Sequence, residues 1–124
     1  MFKFGTVKEL SQFEGKIESD VYLAALRIVK ILDDTYGADR EVDNGDGGFV
    51  LVVENVQDLA AVSRQYIEVD ANRHEAVSVV KCEKEAYISA FFIFNNEFGV
   101  DVFMPMSIAP KSIIETLKKD KKSH

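Results

Sequence analysis

The sequence predicts an α+β fold: a mostly antiparallel four-stranded sheet, with a long N-terminal helix and two or three shorter helices packed mainly on one face. Three observations lead there. The stretch from Ala76 to Pro105 holds three runs rich in aromatic and β-branched residues separated by polar turns, the pattern of an antiparallel meander. Residues 19–36 repeat apolar side chains at helical spacing. Between them, Phe49 to Glu54 (FVLVVE) is a compact apolar run of strand length with no alternation, as expected of a buried strand.

The elements follow in order. Phe2-Lys3-Phe4 alternates and suits a short edge strand ended by Gly5. Thr6-Val7-Lys8-Glu9 has capping-box form, with Thr6 as N-cap and Glu9 reaching back, so a short helix runs to about Phe13 and Gly15 closes it. Ser19 is a good N-cap for the long helix, and Asp20 suits the positive end of its dipole. Val21, Ala24, Ala25, Ile28, Leu32 and Tyr36 make its stripe, widened by Tyr22, Leu26 and Val29. Only Arg27, Lys30 and Asp34 form a clear polar line, which predicts a mostly buried helix stopped by Gly37.

Ala38 to Gly48 is an acidic, glycine-rich loop. Setting Asp43 first in a calcium-loop pattern puts Gly48 at the invariant glycine and Glu54 at position twelve. The third and fifth positions are then glycines, which argues against calcium. A phosphate cradle fails too, because such loops follow a strand and open a helix, and the carboxylates here repel phosphate. After the 49–54 strand, Asn55 caps a helix whose inner stripe is Val56, Leu59, Ala60, Ser63 and Tyr66. The strand–helix–strand order that follows permits a parallel or an antiparallel neighbour.

The strands 76–83, 87–95 and 100–105 form the meander. The middle one is apolar on both faces: Ile88, Ala90, Phe92 and Phe94 point one way, Tyr87, Ser89, Phe91 and Ile93 the other. It is therefore expected inside the sheet with both faces covered. Its turn, Asn95-Asn96-Glu97 with Gly99, leads to a strand with Val100, Val102 and Met104 on one face and Asp101 and Phe103 on the other. Pro110 opens a last helix that buries Ile113, Ile114 and Leu117.

With 124 residues, 47% hydrophobic and 29% charged, the chain reads as one globular domain over residues 1–117 followed by a lysine-rich flexible tail, 118–124. The run Lys118 to Lys122 carries four lysines and one aspartate. Residues 1–117 then hold 11 basic and 20 acidic side chains, a balance of −9 within a total of −6. An acidic body disfavours direct nucleic-acid binding, which needs clustered Lys and Arg against phosphate, and suits a basic partner. The single cysteine, Cys82, rules out an internal disulfide and fits the cytoplasm. No apolar run approaches the roughly 20 residues of a membrane helix, so no membrane association is expected.

No constellation for catalysis, cofactor or metal binding emerges. His74 sits in a polar loop between Arg73 and Glu75, His124 is terminal, and nothing pairs either with a nucleophile. Cys82, in a strand, is of the type that is usually inert. Ser63, Ser78 and Ser107 lack elbow glycines. Metal-ligand spacings are absent. The expectation is a non-catalytic cytoplasmic interaction or regulatory protein with an acidic surface and a protein partner. Its interaction surface is expected at Phe91, Phe103, Asp101, Asn95, Asn96 and Glu97, with self-association through the Phe91–Phe103 face. Two alternatives stand beside it: an acidic mimic of nucleic acid that blocks a DNA-binding protein, and a ligand-binding or enzymatic domain with a pocket between long helix and sheet, lined by Tyr22, Tyr87 and Phe91.

Overall fold

The computed structural model describes residues 1–40, 47–64, 73–94 and 98–122. In chain order the elements among the described residues are β1 (Phe2–Phe4), α1 (Val7–Ser11), α2 (Ser19–Tyr36), β2 (Phe49–Val52), α3 (Val56–Val62), β3 (Arg73–Val80), β4 (Tyr87–Phe94), β5 (Phe98–Pro105) and α4 (Lys111–Lys122), with a 3₁₀ turn, Met106–Ile108, before α4. The class is α+β as expected. The sheet has five strands rather than four, in the order β1-β2-β5-β4-β3.

The meander β3-β4-β5 and the β1–β2 pair are antiparallel, but β2 and β5 run parallel. The sheet is therefore mixed. Its reason is topological: the chain leaves β2 through α3, builds β3 at the far edge, and folds back so that β5 arrives alongside β2 in the same direction. Tight packing marks that seam. Gly48 has φ +88°, and a side chain there would meet the carbonyl of Gly99. Only glycine fits this approach without strain.

The helices do not gather on one face, as the sequence suggested. Side-chain alternation gives each strand two apolar faces, and each face acquires its own layer. On one side α3 and α4 cover Phe49, Leu51 and Val53 of β2 and its extension, Val77, Ile88, Ala90 and Phe92, and Val100, Val102 and Met104, with Leu59, Val62 and Ile113 supplied by the helices. On the other side α1 and α2 bring Leu10, Val21, Ala25 and Val29 against Phe4, Val50, Val52 and Phe103.

Local signals hold with small shifts. Glu9 N–H donates to Thr6 Oγ1 at 3.1 Å, and the Glu9 carboxylate reaches back to the Gly5 N–H at 2.9 Å, one residue earlier than the capping-box pattern implies. The cap of α2 is Glu18 rather than Ser19: its Oε2 accepts from the N–H groups of Asp20 and Val21. Asn55 caps α3 through the Asp58 N–H as expected. The α3 stripe is phased differently, however. Leu59 and Val62 face the core, Ala60 is exposed and Val56 is 62% exposed. Tyr66 lies outside the described residues. The long helix is less buried than its composition suggested, with Leu23 54% and Ile31 65% exposed on its outer side. The body–tail boundary expected after residue 117 falls inside α4, which continues to Lys122.

Arg40 ties three segments together beyond the end of α2. Its guanidinium pairs with Asp33 at 3.5 Å and donates to the carbonyls of Gly5, Gly37 and Gly48. Asp33 in turn accepts from the Val7 N–H at 3.1 Å. This network fixes α1, the end of α2 and the entry to β2 relative to one another.

Candidate functional site

The two faces of the sheet are covered unequally. The α3–α4 layer spans β2, β5, β4 and β3. Among the described residues, the apolar layer under α2 takes from the sheet Phe4 of β1, Val50 and Val52 of β2 and Phe103 of β5 as buried members, with Phe2, Val80 and Tyr87 partly buried at its margin. Two rows of cross-strand neighbours on this face show where coverage stops. One row reads Phe4, Val50, Asp101, Phe91, Ala76; the next reads Phe2, Val52, Phe103, Ser89, Ser78. In both, the residues on β1 and β2 are apolar. Beyond them stand Asp101, Ser89 and Ser78, with Phe91 among them. Asp101, Ser89 and Phe91 are half-buried and Ser78 is exposed. Among the described residues, the half of the face beyond α2 is thus a small polar platform on which the Asp101 carboxylate and the Phe91 ring stand side by side and which no helix covers.

Each part of the platform has a local cause. Phe91 lies diagonal to Gly99, and a side chain at Gly99 would strike the ring at Cε1 and Cζ. The glycine gives the ring a bed on the strand backbone, a known way of covering a bare strand position with an aromatic. Asp101 is the direct cross-strand partner of Phe91. Ser89 Oγ donates to Asp101 Oδ1 across 3.4 Å. Burial pushes the Asp101 carboxyl up to about 6 against an ordinary 3.8, and the Ser89 hydroxyl opposes this only in part. A carboxylate is thereby held where its solvation is poor and its hydrogen bonding incomplete.

The residues expected at the interaction surface divide accordingly. Phe91 and Asp101 are neighbours on the open half. Phe103 is not with them: it is 1% exposed and lies in the core beneath α2, so the Phe91–Phe103 face is not a continuous surface for self-association. Sequence alternation placed these two rings on one face correctly. What it did not supply is the edge of the covering helix, which runs between them. Asn95, Asn96 and Glu97 lie outside the described residues, as does the Asp43 region of the loop considered for calcium. The tyrosines expected to line a helix–sheet pocket are used otherwise. Tyr22 and Tyr87 pack at the margin of the α2-side core. Tyr22 also borders a cleft of about 290 Å³ formed with Glu14, Gly15, Ile17, Ser19 and Leu23, on the approach to α2 and away from Phe91.

A second cluster was not visible in sequence because its members lie far apart. Cys82 Sγ and carboxylate oxygens of Glu18 and Asp20 all lie within 4.8 Å of one another. Burial works against the Glu18 carboxylate, but hydrogen bonds from Cys82, from the Val21 and Asp20 N–H groups and from Ser19 hold it below its usual range. For Cys82 the balance is opposite. Burial, the hydrogen bond to Glu18 and the nearby negative charges of Glu18 and Asp20 push the thiol up to about 12. At neutral pH it stays protonated and donates rather than attacks. Its Sγ donates to the Val80 carbonyl at 3.6 Å, and the side chain lies beside Glu18 and Asp20 at the start of α2. His74 lies in the backbone of β3, next to the register shift between His74 and Ala76.

No family model, no curated protein and no solved structure matches this chain, so its functional reading rests on its own chemistry.

Proposed function

We propose that this chain is a small, non-catalytic cytoplasmic interaction protein that receives a cationic side chain of a protein partner on the open half of its sheet. The carrying observation is the cross-strand pair of Phe91 and Asp101, half-buried at the limit of the helix layer. A guanidinium is the group that uses both: it stacks on an aromatic face and forms charge-assisted hydrogen bonds with a carboxylate. The acidic balance of residues 1–117 supports a basic partner by long-range attraction.

Hydrolytic chemistry is a poorer match for the same residues. Ser89 and Asp101 form a hydroxyl–carboxylate pair at 3.4 Å, longer than the hydrogen bond through which a general base takes a serine proton. What the pair does well is hold one carboxylate oxygen in place and leave the other for a donor from outside. The same platform serves for recognition, not for turnover.

The test is a parallel capture from lysate with wild-type, Phe91→Ala and Asp101→Asn protein, eluted with a salt series. A partner held by the wild type, released by moderate salt and lost from both variants supports the reading. Equal capture by all three refutes it. If DNA displaces the partner, the acidic surface as a whole acts as a nucleic-acid mimic, and the Phe91–Asp101 pair is not the reader.

A further inference from the structure

The two edges of the sheet are built very differently. At one end β1 has three residues, with exposed Lys3 in the middle. This is a short, charged edge of the kind that discourages further pairing. At the other end β3 has eight residues. Its inner side pairs with β4, and among the described residues no strand pairs with its outer side. The register shift between His74 and Ala76 leaves Ala76–Val80 as the regular part of the edge. That part carries no proline and no charge, so none of the usual blunting devices is present in its middle.

The sequence of this edge is close to a palindrome. Around Ser78 stand Val77 and Val79, then Ala76 and Val80, then Glu75 and Lys81, then His74 and Cys82, then Arg73 and Glu83. In an antiparallel pair of identical strands centred on Ser78, the residues of the regular edge, Ala76–Val80, face their palindromic counterparts. Valine then meets valine and serine meets serine, while position 75 (Glu), at the register shift, and position 81 (Lys), just past the strand's end, come towards each other at both ends of the seam. Position 73 (Arg) likewise lies towards position 83 (Glu). Moving the centre to Val77 would instead oppose Arg73 and Lys81. Charge therefore selects one register among its near neighbours.

We propose that β3 pairs antiparallel with β3 of a second copy of this chain about a two-fold axis through Ser78, joining the two sheets into one. Such an axis is perpendicular to the sheet, so the α2 layers of both copies lie on the same side. The groove of about 280 Å³ between α2 and the end of β3, lined by Asp20, Leu23, Ala24, Arg27 and Val79–Lys81, then flanks the seam. The exposed Leu23 lies along it. The two open half-faces become one platform between two helical walls. This inference stands on the edge strand and its sequence, independently of the partner-binding reading of Asp101.

The experiment is a charge reversal and its rescue, read by sedimentation equilibrium over a concentration series, with circular dichroism to verify each fold. Wild type is expected to dimerise. Lys81→Glu opposes two acidic positions at both ends of the seam and is expected to raise the dimer Kd by about tenfold or more. The double variant Glu75→Lys/Lys81→Glu restores the pairing with reversed sign and is expected to recover the dimer. As a register check, Ser78→Cys in a Cys82→Ala background is expected to form a disulfide-linked dimer in air, since directly opposed strand residues lie within disulfide reach. A wild type that remains monomeric throughout, a dimer indifferent to Lys81→Glu, or a folded double variant that does not recover would overturn the proposal.

Discussion

Replacing Asp101 by Asn removes a charge that the fold holds at a cost, and the cost follows from the structure. In the native state the carboxyl titrates at about 6 because burial disfavours its ionised form; in the unfolded chain it returns to about 3.8. The native state thus binds the proton more tightly than the unfolded state between these values. By linkage, stability falls as pH rises from about 4 to about 6, and above 6 the penalty is fully present. The difference corresponds to roughly 3 kcal/mol, trimmed to about 2 kcal/mol by the remaining solvent access of a half-exposed face. Asn is isosteric and keeps a carbonyl for the Ser89 hydroxyl. At pH 8 the variant is therefore expected to be more stable than wild type by about 2 kcal/mol, a rise in Tm of roughly 8 °C for a domain of this size. At pH 4 the two are expected to coincide. The assay is thermal and urea unfolding of both proteins from pH 4 to pH 8. A variant no more stable than wild type at pH 8, or a wild type whose stability is flat between pH 4 and 6, would refute the reasoning.

Four further outcomes are expected. Phe103→Glu puts a charge in the core under α2 and is expected to unfold the protein rather than alter its assembly, while Phe103→Ala should cost about 3–5 kcal/mol in urea unfolding. Arg40→Ala strips Asp33 and the glycine carbonyls of their shared donor; breaking this buried pair should cost about 3–5 kcal/mol, measured in the same way. Gly48→Ala combines a positive φ with a collision against the Gly99 carbonyl and is expected to lose about 1–3 kcal/mol. Cys82, whose thiol is pushed up to about 12, should alkylate far more slowly at pH 8 in the folded protein than in urea, and Glu18→Gln should speed the folded-state reaction by removing the neighbouring charge.

Much of this fold is legible residue by residue. The caps at Thr6 and Asn55, the stop at Gly37 and the three strands of the meander follow from local chemistry, and the structure places them within a few residues. What failed was non-local. Nothing near Phe49 says that β2 will run parallel beside β5, since that neighbour is fixed only when the chain returns through β3 and β4. The two-sided apolar pattern of β4 was correctly taken as an interior strand, yet it did not say that α1 and α2 would take one face and α3 and α4 the other. For the site, alternation put Asp101 and Phe103 on one face, and the polar Ser78 and Ser89 were in plain view. Their meaning appeared only with the register, which sets both serines and Asp101 in adjacent rows just beyond the helix that covers Phe103. Cys82 and Glu18 are 64 positions apart, and no spacing rule reaches across that distance.

The recognition role proposed for Asp101 is set against the stability that its buried carboxylate costs. A side chain that weakens the fold and is nevertheless set beside a ring on an open face is the local inconsistency expected of a functional position. The most direct test is to titrate isotope-labelled protein with a short arginine-containing peptide and follow backbone amide shifts. Saturable shifts confined to Ser89, Phe91, Asp101 and their strand neighbours, absent in Asp101→Asn, are the predicted result. Shifts scattered over the acidic surface, or a response unchanged in Asp101→Asn, would contradict it.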